Sequence, residues 1–218
     1  MANTAKAKLL TKRSTNSGSE VVRGRGRPRE FDRTRALEKA MKLFWLYGYE
    51  ATSMADLRAS LSLTQASIYA AFGSKEGLFR EAVGLYRQTV GSTTARALSE
   101  KMTAREAISV MLYDAVAEFA SGETPAGCLI VLSAINVGKE SRSVQEDLQA
   151  IRLHTARAIE ARLKRGQVDG DVPGDARIEQ LAEFYTALLH GLSIQAKDGV
   201  SLAKLRSTVA HGMDSWRT

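Results

Sequence analysis

The sequence predicts an all-α chain of about nine helices, with a small helical domain in front of a larger helical body. Three observations predict it. From residue 32 onward apolar residues recur three and four positions apart; Gly, Pro, Ser, Thr and Asp fall between those periodic stretches; and no segment keeps the period-two alternation of a half-buried strand. With 218 residues, 44% apolar and 25% charged, the chain can build a core of its own without disulfide or metal staples.

Residues 1–30 are dominated by Lys, Arg, Ser, Thr, Asn and Gly. They hold too few large apolar groups to offset the entropy of ordering, so they read as a disordered arm. The first helix runs from Asp32 to Tyr47, with Leu37, Ala40, Met41, Phe44 and Trp45 on one face and Gly48 as its stop. Thr52 and Ser53 cap a short second helix, in which Ser53 and Asp56 have capping-box spacing and Met54 and Leu57 point inward. A turn at 61–64 leads to a third helix, Gln65 to Phe72, held by Ile68 and Phe72. Ser74 caps a fourth, from Lys75 to about Val90, before Gly91, Ser92 and Thr93 interrupt the pattern.

The second half continues in the same style. Helices are expected at Ala104–Ala120, at Cys128–Val137 after a Gly-Pro loop at 122–127, and at Val144–Arg165, opened by Ser143 with Glu146 and closed by Gly166. Asp175 then caps a helix over Ala176–Lys197, and Ser201 caps a last one to about Trp216. The domains are therefore expected at residues 1–30, 31–80 and 81–218.

Charge is unevenly spread along the chain. Residues 1–30 carry eight basic and two acidic side chains, residues 31–90 eight and six, and residues 91–218 fifteen and sixteen. A basic front beside a near-neutral remainder suits a polyanion, although a solvated tail would look the same. One cysteine, Cys128, cannot form an internal disulfide or a cysteine-rich metal cage. With no apolar run long enough to span a bilayer and no apolar core behind Lys6 and Lys8, the expectation is a cytoplasmic protein without membrane contact or cofactor.

Long helix, short helix, tight turn, short helix is the helix-turn-helix arrangement, whose last helix enters the DNA major groove. Thr64, Gln65, Ser67 and Tyr69 place hydroxyls and an amide along its outer face. An amide can pair bidentately with adenine and hydroxyls can reach bases or phosphates; the solvated face of an ordinary bundle carries such residues too. Residues 31–79, above all TSMADLRASLSLTQASIYAAFGSKEGLF, resemble the DNA-binding domain of the TetR family of bacterial regulators. The resemblance implies that Thr64, Gln65, Ala66 and Ser67 read bases or touch the backbone, that Tyr69 approaches a phosphate, that Lys75 meets another at the start of the fourth helix, and that Thr52 lies near the backbone. The same phosphate role for a lysine at a helix N-terminus follows from its free amides.

Two residues depart from the family pattern: Ser62 stands where the turn usually has glycine, and Arg58 where a small residue usually follows Leu57. A left-handed serine costs about 1 kcal/mol, and Arg58 must snorkel outward or take a phosphate itself. In the arm, Arg25, Arg27 and Arg29 belong to an RGRP-containing run similar to an AT-hook core, suited either to the minor groove or to unspecific phosphate attraction.

The helices after residue 90 need a reason of their own. The resemblance implies pairing of two copies through the last two helices, with Phe184, Tyr185, Leu188, Gly191, Leu192, Leu205, Val209 and Met213 as the interface. It also implies a small-molecule effector of unknown identity. Met111, Leu112, Tyr113, Val116, Phe119, Cys128, Leu132, Ile135 and His154 form an apolar mix with polar handles suited to a pocket, and equally to a core. The expected function is a homodimeric regulator of double-stranded DNA, a repressor by family habit. Two other readings stay open: an architectural protein of A·T-rich DNA, and a metal or redox sensor built on Cys128 with His154. An enzyme is not expected, since no phosphate loop, nucleophile elbow or HExxH motif occurs.

Overall fold

Ten α-helices follow one another between residues 32 and 216, the stretch that this computed structural model describes, with no strand among the described residues. In chain order they are α1 (Arg33–Tyr47), α2 (Met54–Leu61), α3 (Gln65–Phe72), α4 (Lys75–Gln88), α5 (Thr93–Ser99), α6 (Ala104–Phe119), α7 (Leu129–Leu132), α8 (Arg142–Asp169), α9 (Ile178–Lys197) and α10 (Leu202–Asp214). Arg25, Arg27 and Arg29 lie outside the described residues.

Local chemistry sets the first four helices where the sequence places them. Asp32 caps α1 by accepting from the Arg35 amide, and Gly48 ends it. Ser53 and Asp56 form a complete capping box on α2. Thr64 accepts from the Ser67 amide on α3, and Ser74 from the Gly77 amide on α4. Each cap satisfies an amide that the first helical turn leaves without a partner.

Further on the sequence reading needs correction. The interruption at 91–93 is a short 3₁₀ turn running into α5, whose Ala97 and Leu98 are buried. The helix expected over Cys128–Val137 is a single turn; the Ile130 carbonyl accepts from the Arg152 guanidinium and the Ser133 carbonyl from the Tyr49 amide, distant donors in place of a continued ladder. α8 is longer at both ends than Val144–Arg165. Ser143 is already helical and donates to Glu76 (2.7 Å), and the left-handed stop is Gly170 rather than Gly166. Gly166 sits inside the helix, where an added Cβ would lie 2.7 Å from Ala104 and Val172 side-chain atoms. Asp175 caps nothing; α9 begins at Ile178 behind Arg177.

Two cores result. The first joins α1–α4 with α7 and the start of α8 around Phe44, Trp45, Leu57, Ile68, Leu78 and Phe79. The second joins α5, α6, α9, α10 and the far half of α8 around Ile108, Met111, Leu112, Leu163, Tyr185 and Leu205. Cys128 packs against both. The first core therefore does not close near residue 80: Leu129, Ile130, Val144 and Leu148 complete it from far along the chain.

Candidate functional site

Helix α3 is only eight residues long, and two of its side chains, Ile68 and Phe72, are buried. Isolated helices this short are not stable in water, so its rigidity comes from what grips it. Ile68 is fully enclosed, and Arg33 of α1 reaches across the C-terminal end. Its guanidinium lies 4.7 Å from the Phe72 ring centre, donates to the Ala71 carbonyl (3.3 Å) and pairs with Glu81 of α4 (2.8 Å). Gly77 lets α4 come equally close, since a Cβ there would sit 2.2 Å from the Phe72 carbonyl.

Apart from the half-buried Ala71, the rest of α3 faces out. Thr64, Gln65, Ala66, Ser67, Tyr69 and Ala70 are all exposed, Tyr69 at 41%. Their polar groups are already paired along the helix: Thr64 Oγ1 and Ser67 Oγ are 2.8 Å apart, and Gln65 Nε2 donates to the Tyr69 hydroxyl (3.2 Å). These water-exposed bonds hold the side chains in order and can be exchanged for bonds to bases and phosphates at little cost. The arrangement is a short convex rod carrying hydroxyls and an amide.

Two of the sequence-predicted contacts are placed differently. Thr52 is 0% exposed, and its hydroxyl donates to the Gly48 carbonyl (2.6 Å), so it ties the end of α1 to the start of α2 and has no surface to offer. Ser53, not Thr52, is the α2 cap. Lys75 opens α4 half-buried, its ammonium 4.4 Å from the Tyr49 ring centre. Burial lowers its pKa, against the opposing pull of Glu50 and Asp56. It is a pillar between α4 and Tyr49 as much as an outward cation. Ser62 does take the left-handed conformation that its position demands (φ 57°, ψ 41°), alone among described non-glycine residues, while Arg58 is exposed.

The expected pocket also moves. Met111, Leu112 and Val116 are fully buried in the second core, Tyr113 packs against that core, Leu132 and Ile135 lie off the cavity, and Ile135 is exposed. Of the nine residues, Phe119, Cys128 and His154 line the cavity that does exist, of about 430 Å³. Its remaining wall comes from residues not singled out, among them Tyr86, Ile130, Arg152, Leu189 and His190. Only tertiary packing brings α4, α6, α7, α8 and α9 together here. Tyr86 donates to Cys128 Sγ (3.3 Å), and the Cys128 amide donates to Ser193 Oγ (2.8 Å). Burial pushes the Cys128 thiol up, against the lowering effect of the Tyr86 bond. It is therefore held as a neutral thiol, and no group of three His, Cys, Asp or Glu residues among the described ones could hold a metal.

The cavity adjoins the first core directly. Trp45 packs edge-on to Tyr86 with ring centres 4.9 Å apart, and its indole N–H donates to the Gly127 carbonyl (3.1 Å).

The expected interface residues divide into two groups. Tyr185, Leu192, Leu205, Val209 and Met213 are buried within the chain itself, filling the second core. Phe184, Leu188 and Gly191 remain at least partly exposed, and Ile194 continues their line, with Phe184 and Ile194 both 44% exposed. The wide apolar band of α9 is thus two stripes, one facing in and one facing out. No helix among the described residues is long and apolar enough to cross a membrane.

Comparison with known proteins fits this geometry. The family profile described as bacterial regulatory proteins, tetR family, matches residues 36–82, and one described as tetracyclin repressor-like, C-terminal domain, matches residues 105–198. The HTH-type transcriptional repressor ComR of Escherichia coli (strain K12) is 34% identical over 204 residues, which is 93% of this chain and 97% of that protein. BdcR, another HTH-type transcriptional repressor of the same organism, is 27% identical over 194 residues, 88% of this chain and 93% of that protein. Among solved structures, a cysteine mutant of the TetR family transcriptional regulator CifR, complexed with 26 bp double-strand operator DNA, is 43% identical with a TM-score of 0.84, covering 88% of this chain and 100% of that one.

Proposed function

Because the chain belongs to the TetR family of bacterial regulatory proteins, DNA-binding transcription factors rather than enzymes, we propose that it works in the cytoplasm as a homodimeric repressor that a small molecule releases from a near-palindromic operator. The observation that carries this reading is the outward polar face of α3, gripped from behind by Ile68, Phe72 and Arg33. Gln65, Ser67 and Thr64 are the base-reading candidates, and Tyr69 reaches for a phosphate.

The outward stripe of Phe184, Leu188, Gly191 and Ile194 supports pairing of two copies, since a lone chain gains nothing by exposing it. Two copies present two recognition helices, so half-sites should lie about 34–36 Å apart or a multiple of that. A cavity of about 430 Å³, whose lining residue Tyr86 packs on Trp45 of the first core, supports release by a ligand, which must bind one dimer arrangement better than the other. Repression rather than activation is supported by the likeness to ComR and BdcR, both repressors.

The test is selection of genomic fragments by the full chain, followed by footprinting of the enriched site. A protected region with dyad symmetry is expected. A footprint lacking a dyad refutes the homodimer reading, and binding set by salt alone refutes sequence recognition. Deleting residues 1–29 should flatten the dependence of log K on log salt by about 0.9 for every phosphate that the arm neutralises. An unchanged slope reduces the arm to a spectator.

A further inference from the structure

Arginines outnumber carboxylates on the wall of the cavity. It carries Arg87, Arg152 and the imidazoles of His154 and His190, against the single carboxylate of Glu118. Glu118 is already engaged, accepting from the Thr124 hydroxyl (3.1 Å), and Thr124 is not part of the lining. Arg152 is the half-buried cation of the set. Its guanidinium donates to the Ile130 carbonyl (2.9 Å), and it makes no salt bridge among the described residues. Most of its five N–H groups therefore have no acceptor among the described residues.

The N–H groups of Arg152 that meet no protein acceptor are not sealed away from solvent; on the wall of the cavity they are free to meet the acceptor atoms of a ligand. No carboxylate lies within salt-bridge distance of the guanidinium among the described residues. Cys128, to which Arg152 is electrostatically coupled, is kept neutral by burial. His190 has its pKa lowered by burial first and by Arg152 second, so it stands uncharged beside the guanidinium as a hydrogen-bonding group. The remaining wall includes Leu98, Phe119, Ile130, Val131 and Leu189, which is apolar.

We propose that this cavity takes a small amphipathic carboxylate, its head paired with the Arg152 guanidinium beside His190 and its hydrocarbon lying along Phe119, Ile130 and Leu189. A planar guanidinium fork matches a carboxylate bidentately, whereas an ammonium ligand would be repelled and a neutral one brings no charge to the guanidinium. The inference rests on the effector reading above and names the chemistry of that effector.

Octanoate, octanol and octylamine serve as probes of equal chain length. Binding to the full chain is followed by calorimetry, and the operator complex by fluorescence anisotropy. Octanoate should bind one per chain, and Arg152→Gln should weaken it about tenfold or more while moving octanol less than about threefold. Arg152→Lys should fall between the two. Should Arg152→Gln fail to fold, the ranking of the three probes on the unaltered chain decides alone. Octanol or octylamine binding as tightly as octanoate overturns the assignment, and so does binding of none of them or equal binding by Arg152→Gln. If octanoate binds in an Arg152-dependent way but the operator complex persists, the carboxylate site stands and the release mechanism falls. If all three probes release DNA equally, release stands and the carboxylate site falls.

Discussion

The outer face of α3 and the cavity under α8 hold the same kinds of side chain turned in opposite directions. On α3 the hydroxyls, amide and phenol project outward from a rod with two buried anchors. In the cavity a phenol, a thiol, guanidinium groups and imidazoles line a wall drawn from six helices, α4–α9. The direction they face sets what each surface can recognise. A convex rod can be built from eight consecutive residues because its partner is larger than itself, and its only structural demand is a firm back. A concave site must surround its ligand, so it has to be assembled from elements distant in sequence. The first core and the cavity are joined at Trp45, which packs on the cavity-lining Tyr86 and donates to the Gly127 carbonyl.

The strongest way to break this contrast is to remove the back of the rod. Ile68→Ala should cost about 2–5 kcal/mol of stability and abolish operator binding, while ligand binding in the cavity survives. Urea unfolding and calorimetry on the same variant would show it, and loss of both activities would mean that the two cores fail together. Tyr69→Ala should leave stability and association of the chains unchanged and weaken operator binding by about 1–3 kcal/mol. Unaltered affinity in an anisotropy titration would move the interface off α3.

Smaller changes sharpen the contrast. Trp45→Phe keeps most of the ring but deletes the donor to Gly127. A loss of about 0.5–1.5 kcal/mol is expected, together with a weaker effect of bound ligand on the operator complex. Equal ligand response in both proteins would show that the link runs elsewhere. Ser62→Gly relieves the left-handed serine between α2 and α3 and should raise stability against urea by less than about 1 kcal/mol. A drop would mean that the serine side chain contributes something its backbone conformation does not reveal.

How much could be read from the chain follows from the range of the interactions involved. The caps at Asp32, Ser53, Thr64 and Ser74 act within four residues, so they fix α1–α4 in any reading of the sequence. Ser143 and Asp175 look like equally good caps, yet Ser143 is drawn to Glu76 and Asp175 caps no helix. Local chemistry proposes a helix start, and a distant partner can override it. The same holds for Thr52, whose hydroxyl is equally suited to a phosphate and to the Gly48 carbonyl; burial chose the carbonyl.

By itself the sequence determined an all-helical chain, the helix-turn-helix with its two anchors and outward hydroxyls, and the family it belongs to, because periodicity, capping and motif spacing are properties of neighbouring residues. Tertiary structure alone decided which apolar residues of α9 and α10 fill the chain's own core, where the cavity lies, and that Arg152 lines it without a carboxylate partner among the described residues. An apolar side chain carries the same local signal whether it meets its own body or another molecule. Only the packing of helices far apart in sequence distinguishes the two.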